Sequence, residues 1–378
     1  MAKTIYFVAG EASGDEHGAA LMRSLRALHV DLDFQGRGGP KMKAIAGGSF
    51  ADWIDQAAIV GLWEVIKHLG YFRKQFRETL SQIEESKPDA VVLIDYPGFN
   101  LRLARALRRR TRDLKIIYYI SPQVWAWNRR RIPRMAEWLD LMLCIFPFEA
   151  ELYNKSGLRT LFVGHPMIEN LRSQKIDMVR DPNLVGLFPG SRLREVRKIL
   201  PIMLEAAREL LKTHPNIVFA IAAASESLSA EIAGILSCSP LPRGKLHVVI
   251  GGTWSVMREA FAGIVASGTA TLEAAFFRMP FVLVYKVSWA TYFAARLVVK
   301  VKYLGMPNVL AEKEIVPEFI QGRANPAAIA ETMRRLLNDE AARQGMISQF
   351  DAIVAKLGES GASERAAEAI VQELGSTS

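Results

Sequence analysis

Ten short apolar runs, each followed by a longer stretch with helical periodicity, leave this chain very few architectures. The first five are Thr4–Ala9, Asp89–Ile94, Lys115–Ile120, Leu141–Ile145 and Thr160–Val163. A polar stretch, Asn170–Asn183, interrupts the pattern. It then restarts with Leu184–Phe188, Ile217–Ala222, Leu246–Ile250, Gly263–Ala266 and Phe281–Val284. Apolar runs of this length, spaced by helices, read as strands of a parallel sheet with crossover connections. The expected class is therefore α/β, with two doubly wound, Rossmann-like domains of similar size. At 378 residues, half of them hydrophobic, the chain can fill two cores and is too long for one. The domains are expected at 1–168 and 169–345. Residues 346–378 are expected to be helices packing back across both, since Asn325–Leu374 is helical in pattern and Asn325-Pro326 is a plausible start.

Several classes drop out. Cys144 and Cys238, the two cysteines, sit in or beside apolar sequence without a C-x-x-C spacing, which points away from a disulfide framework or a zinc site and toward a reducing cytoplasm. The opening Met1–Gly10 reaches a turn after a few apolar residues, and no run of about 18 uncharged apolar residues occurs. Neither a signal peptide nor a membrane span is expected. Short-period repeats and low-complexity tracts are absent from the sequence. The net charge is +9, and between Arg102 and Arg134 there are eleven Lys or Arg residues against one acid, Asp113, so the rest is close to neutral. Such a patch suits a polyanionic surface, nucleic acid or an anionic leaflet, or else a solvated helix face.

In open α/β sheets ligands sit beyond the carboxyl ends of the strands, so the residues after each run carry the functional reading. After the first comes Gly10-Glu11-Ala12-Ser13-Gly14-Asp15. It lacks the Lys-Ser/Thr of a P-loop and the third glycine of a dinucleotide fingerprint, and its acids suit sugar hydroxyls. The ordinary alternative is a capped turn with Asp15 near the N-cap. In Ile94-Asp95-Tyr96-Pro97-Gly98-Phe99-Asn100 the Pro-Gly turn leaves Asp95 at a strand tip, either as a general base or as a hydrogen-bonded turn aspartate. Phe188-Pro189-Gly190-Ser191-Arg192 opens the second half, and Arg192 can meet phosphate oxygens or pair with Glu195.

Ser267-Gly268-Thr269-Ala270-Thr271-Leu272-Glu273 follows the run Gly263–Ala266. It offers amides and hydroxyls to an anion and Glu273 to a ribose diol; the alternative is a helix capped by Ser267 or Thr269. His165, in Val163-Gly164-His165-Pro166, is a substrate contact or a hinge residue. Asp31-Leu32-Asp33 reads as solvated turn acids without a carboxylate cluster to make a metal site. Three stretches mix large apolar side chains with cations, as at an interface between acyl chains and phosphates: Gly61–Lys74, Ser121–Arg131, and Trp289–Tyr303 with Phe293, Leu297, Lys300 and Lys302. Buried amphipathic packing is the alternative for each.

Taken in order, the loops at Gly10, Ser121-Pro122-Gln123-Val124-Trp125-Ala126-Trp127, Val163, Pro189 and Ser267, with Met306-Pro307-Asn308, resemble the lipid-A-disaccharide synthases, nearly end to end. The resemblance implies a GT-B glycosyltransferase, two Rossmann-like domains facing a cleft. It would join UDP-2,3-diacylglucosamine to 2,3-diacylglucosamine 1-phosphate in a β-1,6 linkage with inversion, release UDP, and need no metal or other cofactor. It places Asp95 as the base, with Glu11 and Asp15 as the acids that would serve if it is not. It places Arg192, Ser267, Thr269, Glu273 and Asn308 on the UDP side, and Glu11 with the basic aromatic stretches on the acceptor side. Ser13, Asp15, His165, Gly190, Ser191, Gly268 and Thr271 are the other expected substrate-binding residues. The family often carries a second aspartate where this chain has Gly98. The implied partners are the two acylated sugars and an anionic membrane surface on the cytoplasmic face of the inner membrane, with room for a homodimer and no nucleic acid. A UDP-sugar epimerase or another transferase on the same architecture is the nearer alternative, and a non-catalytic polyanion-binding protein the other.

Overall fold

The computed structural model describes residues 2–28, 31–48, 50–54, 69–172, 174, 179–239, 241–242, 244–299 and 301–375. The chain divides into two compact units, Met1–Glu169 together with Leu357–Ser378, and Asn170–Lys356.

The first unit is built on β1 (Lys3–Ala9), β2 (Leu32–Gly38), β3 (Phe50–Asp52), β4 (Ala90–Ile94), β5 (Lys115–Tyr119), β6 (Leu141–Cys144) and β7 (Thr160–Phe162). They form one parallel sheet in the order β3-β2-β1-β4-β5-β6-β7. Helices cover both faces, so the central strands are apolar at every position: Ala90–Ile94 is buried throughout. The core joins Ile5 and Phe7 to Met22 of the helix Ala12–Ala27 and to Ala366, Ile370 and Leu374 of the last helix, Ala362–Gly375. Lys115 and Arg159 both pair with the buried Glu373, fastening the end of that helix. The end of the chain thus belongs to the first unit, while the preceding helix, Glu340–Lys356, belongs to the second.

The second unit has β8 (Asp181–Phe188), β9 (Val218–Ala223), β10 (Leu246–Ile250), β11 (Ala260–Ala266), β12 (Phe281–Tyr285) and β13 (Glu318–Ile320). These too are all parallel, in the order β10-β9-β8-β11-β12-β13. The helix Leu193–Leu211 buries Val196, Ile199, Leu200, Met203 and Leu210 at helical spacing, and the helix Pro326–Asn338 packs beside it. Asn325 caps the latter by accepting from Ala327 and Ala328.

Each of the ten apolar runs coincides with a strand. Three strands, β2, β3 and β13, fall outside them. The segment after Asp31, expected as a turn, is β2, Leu-Asp-Phe-Gln-Gly-Arg-Gly. Its apolar signal is broken by two glycines and by Arg37, which is buried yet bonded: it donates to Thr79 Oγ1 at 2.8 Å and to the Gln75 carbonyl at 3.1 Å, with its guanidinium 5.0 Å from the Trp53 ring. Gly36 is required by close approach. It has φ +141° and pairs with Phe7, and a Cβ there would lie 2.1 Å from the Phe7 carbonyl oxygen. Gly36→Ala should therefore lower stability by more than ~2 kcal/mol. Gly47→Ala, at φ +90° and ψ −153° with open space around it, should cost less, since only backbone strain of about 1–3 kcal/mol applies and no clash adds to it. Urea midpoints of the two variants check the contrast, and equal shifts would show that β1 and β2 are not held this close.

Candidate active site

In a doubly wound sheet the crevice opens where the strand order reverses. In the first unit that point lies between β1 and β4, and in the second between β8 and β11. The loops after these four strands are Gly10–Glu11, Asp95–Tyr96, Pro189–Arg192 and Ser267–Thr269. These are the segments singled out from the sequence.

At the β4 tip, Asp95 and Tyr96 both adopt left-handed backbone, with φ 44° and 48°. Two consecutive non-glycine residues in this region cost on the order of 1–3 kcal/mol each, and neighbouring groups hold them there. The Asp95 amide donates to the Tyr119 carbonyl at 3.0 Å, and the Asp95 carbonyl accepts from Tyr118 Oη at 2.5 Å and Asn100 Nδ2 at 2.8 Å. The Tyr96 ring lies on Gly10, where a Cβ would come within 2.3 Å of it. It also meets Phe99 and Trp53 with ring centroids at 6.0 and 6.3 Å. These anchors act on the Asp95 backbone, while its carboxyl accepts a hydrogen bond from the Tyr96 backbone amide within the turn. Burial, with the Glu11 charge adding to it, pushes that carboxyl up to about 6 against the opposing hydrogen bond from Tyr96. Glu11 and Ser13 are exposed at the facing strand tip. Nothing lies within 4 Å of where a side chain at Gly98 would begin.

Other expected residues on this side are committed elsewhere. Asp15 is buried and accepts from the amides of Gly39, Lys41 and Met42 at 2.9–3.0 Å, capping the helix Pro40–Ala46. Its carboxylate is thus occupied by helix amides instead of sugar hydroxyls, and the first helix begins at Ala12, ahead of it. His165 is buried, its Nδ1 accepts from the Met167 amide at 3.2 Å, and its ring packs on Phe146. Burial holds it down at about 4, so it is neutral at pH 7. It is tied into the first unit, in keeping with a structural part at the chain's exit. The Ser121–Trp127 loop is pinned by Glu149, which is fully buried and accepts from Trp125 Nε1 at 2.8 Å and from the Phe146 amide at 3.2 Å. Tyr153 Oη adds a 2.6 Å bond to the Pro122 carbonyl.

In the second unit, Gly190 takes φ +109° and Ser191 and Arg192 are exposed at the start of the helix Leu193–Leu211, whose N-terminus no described side chain caps. Arg192 donates to Glu195 at 3.1 Å, but its side chain is 81% exposed, so the pair contributes little and the guanidinium stays available to an anion. Tyr285, at the β12 tip, lies within reach of both charges. At the β11 tip Ser267, Gly268 and Thr269 are open or half-open, and the helix begins at Ala270. Neither Ser267 nor Thr269 caps it through its side chain, contrary to the capping alternative. Thr271 is buried and donates to the Gly268 carbonyl at 2.8 Å, shaping the loop from beneath. Glu273 is held above the usual carboxylate range by burial, against a hydrogen bond from Trp254. Asn308 is fully buried with its whole amide engaged: Nδ2 donates to Val316 and Glu318 at 2.7 and 2.9 Å, and Oδ1 accepts from Ile315 and Val316 at 2.7 and 2.8 Å. It therefore staples the segment before β13 and leaves no group for a nucleotide.

Tyr118, Asn100, Tyr96, Trp254 and Tyr285 were missed from sequence. Strand-end position could have found Tyr285 and Tyr118. Asn100 reaches back to the carbonyls of Ile94 and Asp95 within its own segment, while Trp254 acts through a tertiary contact that leaves no local pattern. Of the mixed apolar and cationic stretches, Gly61–His68 lies outside the described residues, as do Lys300 and the side chain of Leu297. Among the described residues no helix is long and apolar enough to cross a membrane.

The profile of the lipid-A-disaccharide synthetase family matches residues 5–373. Lipid-A-disaccharide synthase of Geobacter sulfurreducens is 38% identical over 98% of this chain and 97% of its own length, and that of Nitrosococcus oceani 37% over 99% and 97%. Among solved structures, a putative UDP-N-acetylglucosamine 2-epimerase from Listeria monocytogenes superposes with a TM-score of 0.65 at 11% identity, covering 100% of this chain and 97% of that one. The calicheamicin glycosyltransferase CalG4 gives 0.58 at 16%, covering 100% and 99%. Both share the two-sheet α/β fold.

Burial raises the Glu149 carboxyl from 4.5 to about 7. Between those values the folded protein binds more protons than the unfolded chain, so this group's contribution to stability is full below 4.5 and declines as pH rises through 7. The melting temperature of Glu149→Gln relative to the parent should shift in the variant's favour over that interval. A gap that does not change with pH would show that Glu149 does not titrate there.

Proposed function

The chain belongs to the lipid-A-disaccharide synthase family, and we propose on that premise how its two strand-order reversals divide the chemistry of transfer. It is a glycosyltransferase of lipid A biosynthesis, joining UDP-2,3-diacylglucosamine to 2,3-diacylglucosamine 1-phosphate and releasing UDP. The observation that carries the division is the contrast between the two reversals: a carboxylate pair at the β1/β4 tips, and a cation with an uncapped 19-residue helix at the β8/β11 tips.

Asp95 is the general base. It takes the proton of the acceptor's 6-hydroxyl as that oxygen bonds to the donor's anomeric carbon, while the bond from that carbon to the diphosphate oxygen breaks. One in-line displacement inverts the α-linked donor to the β product. A base near 6 is largely ionised at neutral pH and still basic enough to accept the proton. The departing UDP carries new negative charge. Arg192 meets it with a planar fork, and the Gly190–Ser191 turn with the first amides of the helix Leu193–Leu211 supplies further donors. Ser267, Gly268 and Thr269 form the adjacent wall, and Glu273 accepts from the ribose diol. Glu11 and Ser13 bind the acceptor sugar, and Glu11 tunes Asp95.

Both substrates carry acyl chains, so the enzyme works at the cytoplasmic leaflet as a peripheral protein. The first unit supplies an electrostatic contact: Arg129, Arg130 and Arg134 are exposed, and Arg131 stacks 4.9 Å over the half-exposed Trp127.

Two measurements test this reading. With UDP release followed from the two acylated sugars, Asp95→Asn should reduce turnover roughly 10²–10⁴-fold while UDP affinity stays within a few-fold. In the parent, kcat/KM should rise with pH through about 6, and Glu11→Gln should move that limb lower by removing a like charge. Near-normal turnover of Asp95→Asn would assign the proton to another group. Separately, Arg129→Glu with Arg130→Glu should weaken co-sedimentation with anionic vesicles most at low salt, and unchanged binding would remove the electrostatic contact.

A further inference from the structure

The helix Trp289–Val298, after β12 in the second unit, opens with large aromatic side chains turned to water. Trp289 is 56% exposed and Phe293 60%, and Val299 beyond its end is exposed as well. Positions 289, 292, 293 and 296 fall on one helical face, so Trp289, Tyr292 and Phe293 form a stripe that ends in the exposed Arg296. The three rings pack on one another, with centroids 5.7–5.8 Å apart. Exposed aromatics gathered in this way mark a binding surface, whereas scattered ones do not.

Charge identifies the occupant. From Lys286 to Ala311 the sequence has four cations, Lys286, Arg296, Lys300 and Lys302, and no acid. The acid whose charge reaches Lys302 is Glu314, beyond that segment. A second copy of the chain is a poor match, because a two-fold interface would set this patch against itself, cation facing cation. An anionic bilayer satisfies both features: indole and phenyl rings settle at the headgroup level while arginine and lysine reach lipid phosphates.

We propose that the helix Trp289–Val298 is a second membrane contact, carried by the unit that holds the nucleotide and acting by insertion of Trp289 and Phe293 into an anionic leaflet. The inference rests on the reading that the enzyme works at a membrane. It differs from the arginine contact of the first unit in being apolar at its centre, and so should persist in salt.

The test uses the full chain and vesicles of phosphatidylcholine and phosphatidylglycerol, roughly three to one. Trp289→Ser with Phe293→Ser should reduce partitioning at least ~10-fold at high salt, where Arg129→Glu with Arg130→Glu has little effect. UDP binding by the aromatic variant should match the parent, which checks that the unit is folded. In the parent, hydrogen exchange of residues 289–298 should slow when vesicles are added, a readout that needs no substitution. If the parent binds vesicles and the aromatic variant binds them equally well, or the helix gains no protection, this inference fails and the membrane reading stands. If the parent binds no vesicles, both fail. Loss of a dimer in the aromatic variant with unchanged vesicle binding would make the stripe a self-interface and overturn the proposal.

Discussion

Each sheet is wholly parallel and reverses its strand order once, and that constraint governs where chemistry can occur. Neighbouring connections on either side of a reversal leave in opposite directions, so the loops diverge and expose the strand tips between them. The rest of each unit serves to hold those tips. In the first unit, Tyr118 and Asn100 fix the carbonyl of Asp95 so that its backbone can remain left-handed, and Gly10 clears the space that the Tyr96 ring needs. In the second, Gly190 takes φ +109°, a backbone that favours glycine, and a Cβ there would also crowd Glu195.

The electrostatics follow from the same arrangement. A proton acceptor benefits from partial desolvation and from a like charge nearby, and Asp95 has both. The phosphate clamp proposed for the second unit benefits from access, and Arg192 is largely exposed. The glycine at position 98 sharpens the argument. The site has room for a side chain at position 98, yet Glu11 already supplies the second negative charge acting on Asp95. The basicity of Asp95 in this chain thus depends on burial and on the opposite strand tip, with no acid needed beside it in sequence.

Most of the architecture was legible because central strands of a parallel sheet are apolar on both faces and stand out as continuous runs. Strands β2, β3 and β13 were hidden because they lie toward the sheet edges, are short, or hold residues that look like turn formers. Gly36 permits close contact with Phe7, and Arg37 is buried only because Gln75 and Thr79, some forty residues later, receive its donors. The site was legible as loops more than as residues. All four segments lie at strand tips beside the reversals, but which polar side chains face outward depends on partners distant in sequence. Asp15 is consumed by the amides of residues 39, 41 and 42, and Asn308 by those of 315 and 316. Nothing local distinguishes them from Glu11 and Ser13.

The same limit applies to the basic segment, and it bears on how the protein reaches its lipid substrates. Of the cations between Arg102 and Arg134, Arg108 pairs with Asp140, Arg110 with Glu84 and Lys115 with Glu373, while Arg105 lies 5.9 Å over the Trp138 ring. The charge offered to a surface is therefore well below what the residue count suggests. Each cation near an anionic leaflet contributes about 1 kcal/mol, and salt reduces it. A handful of exposed arginines can steer the protein to the membrane and set its orientation, but a stable hold on a substrate whose acyl chains stay in the bilayer calls for apolar contact as well. In the proposed membrane contacts, half-exposed Trp127 and the Trp289–Phe293 stripe supply that apolar part.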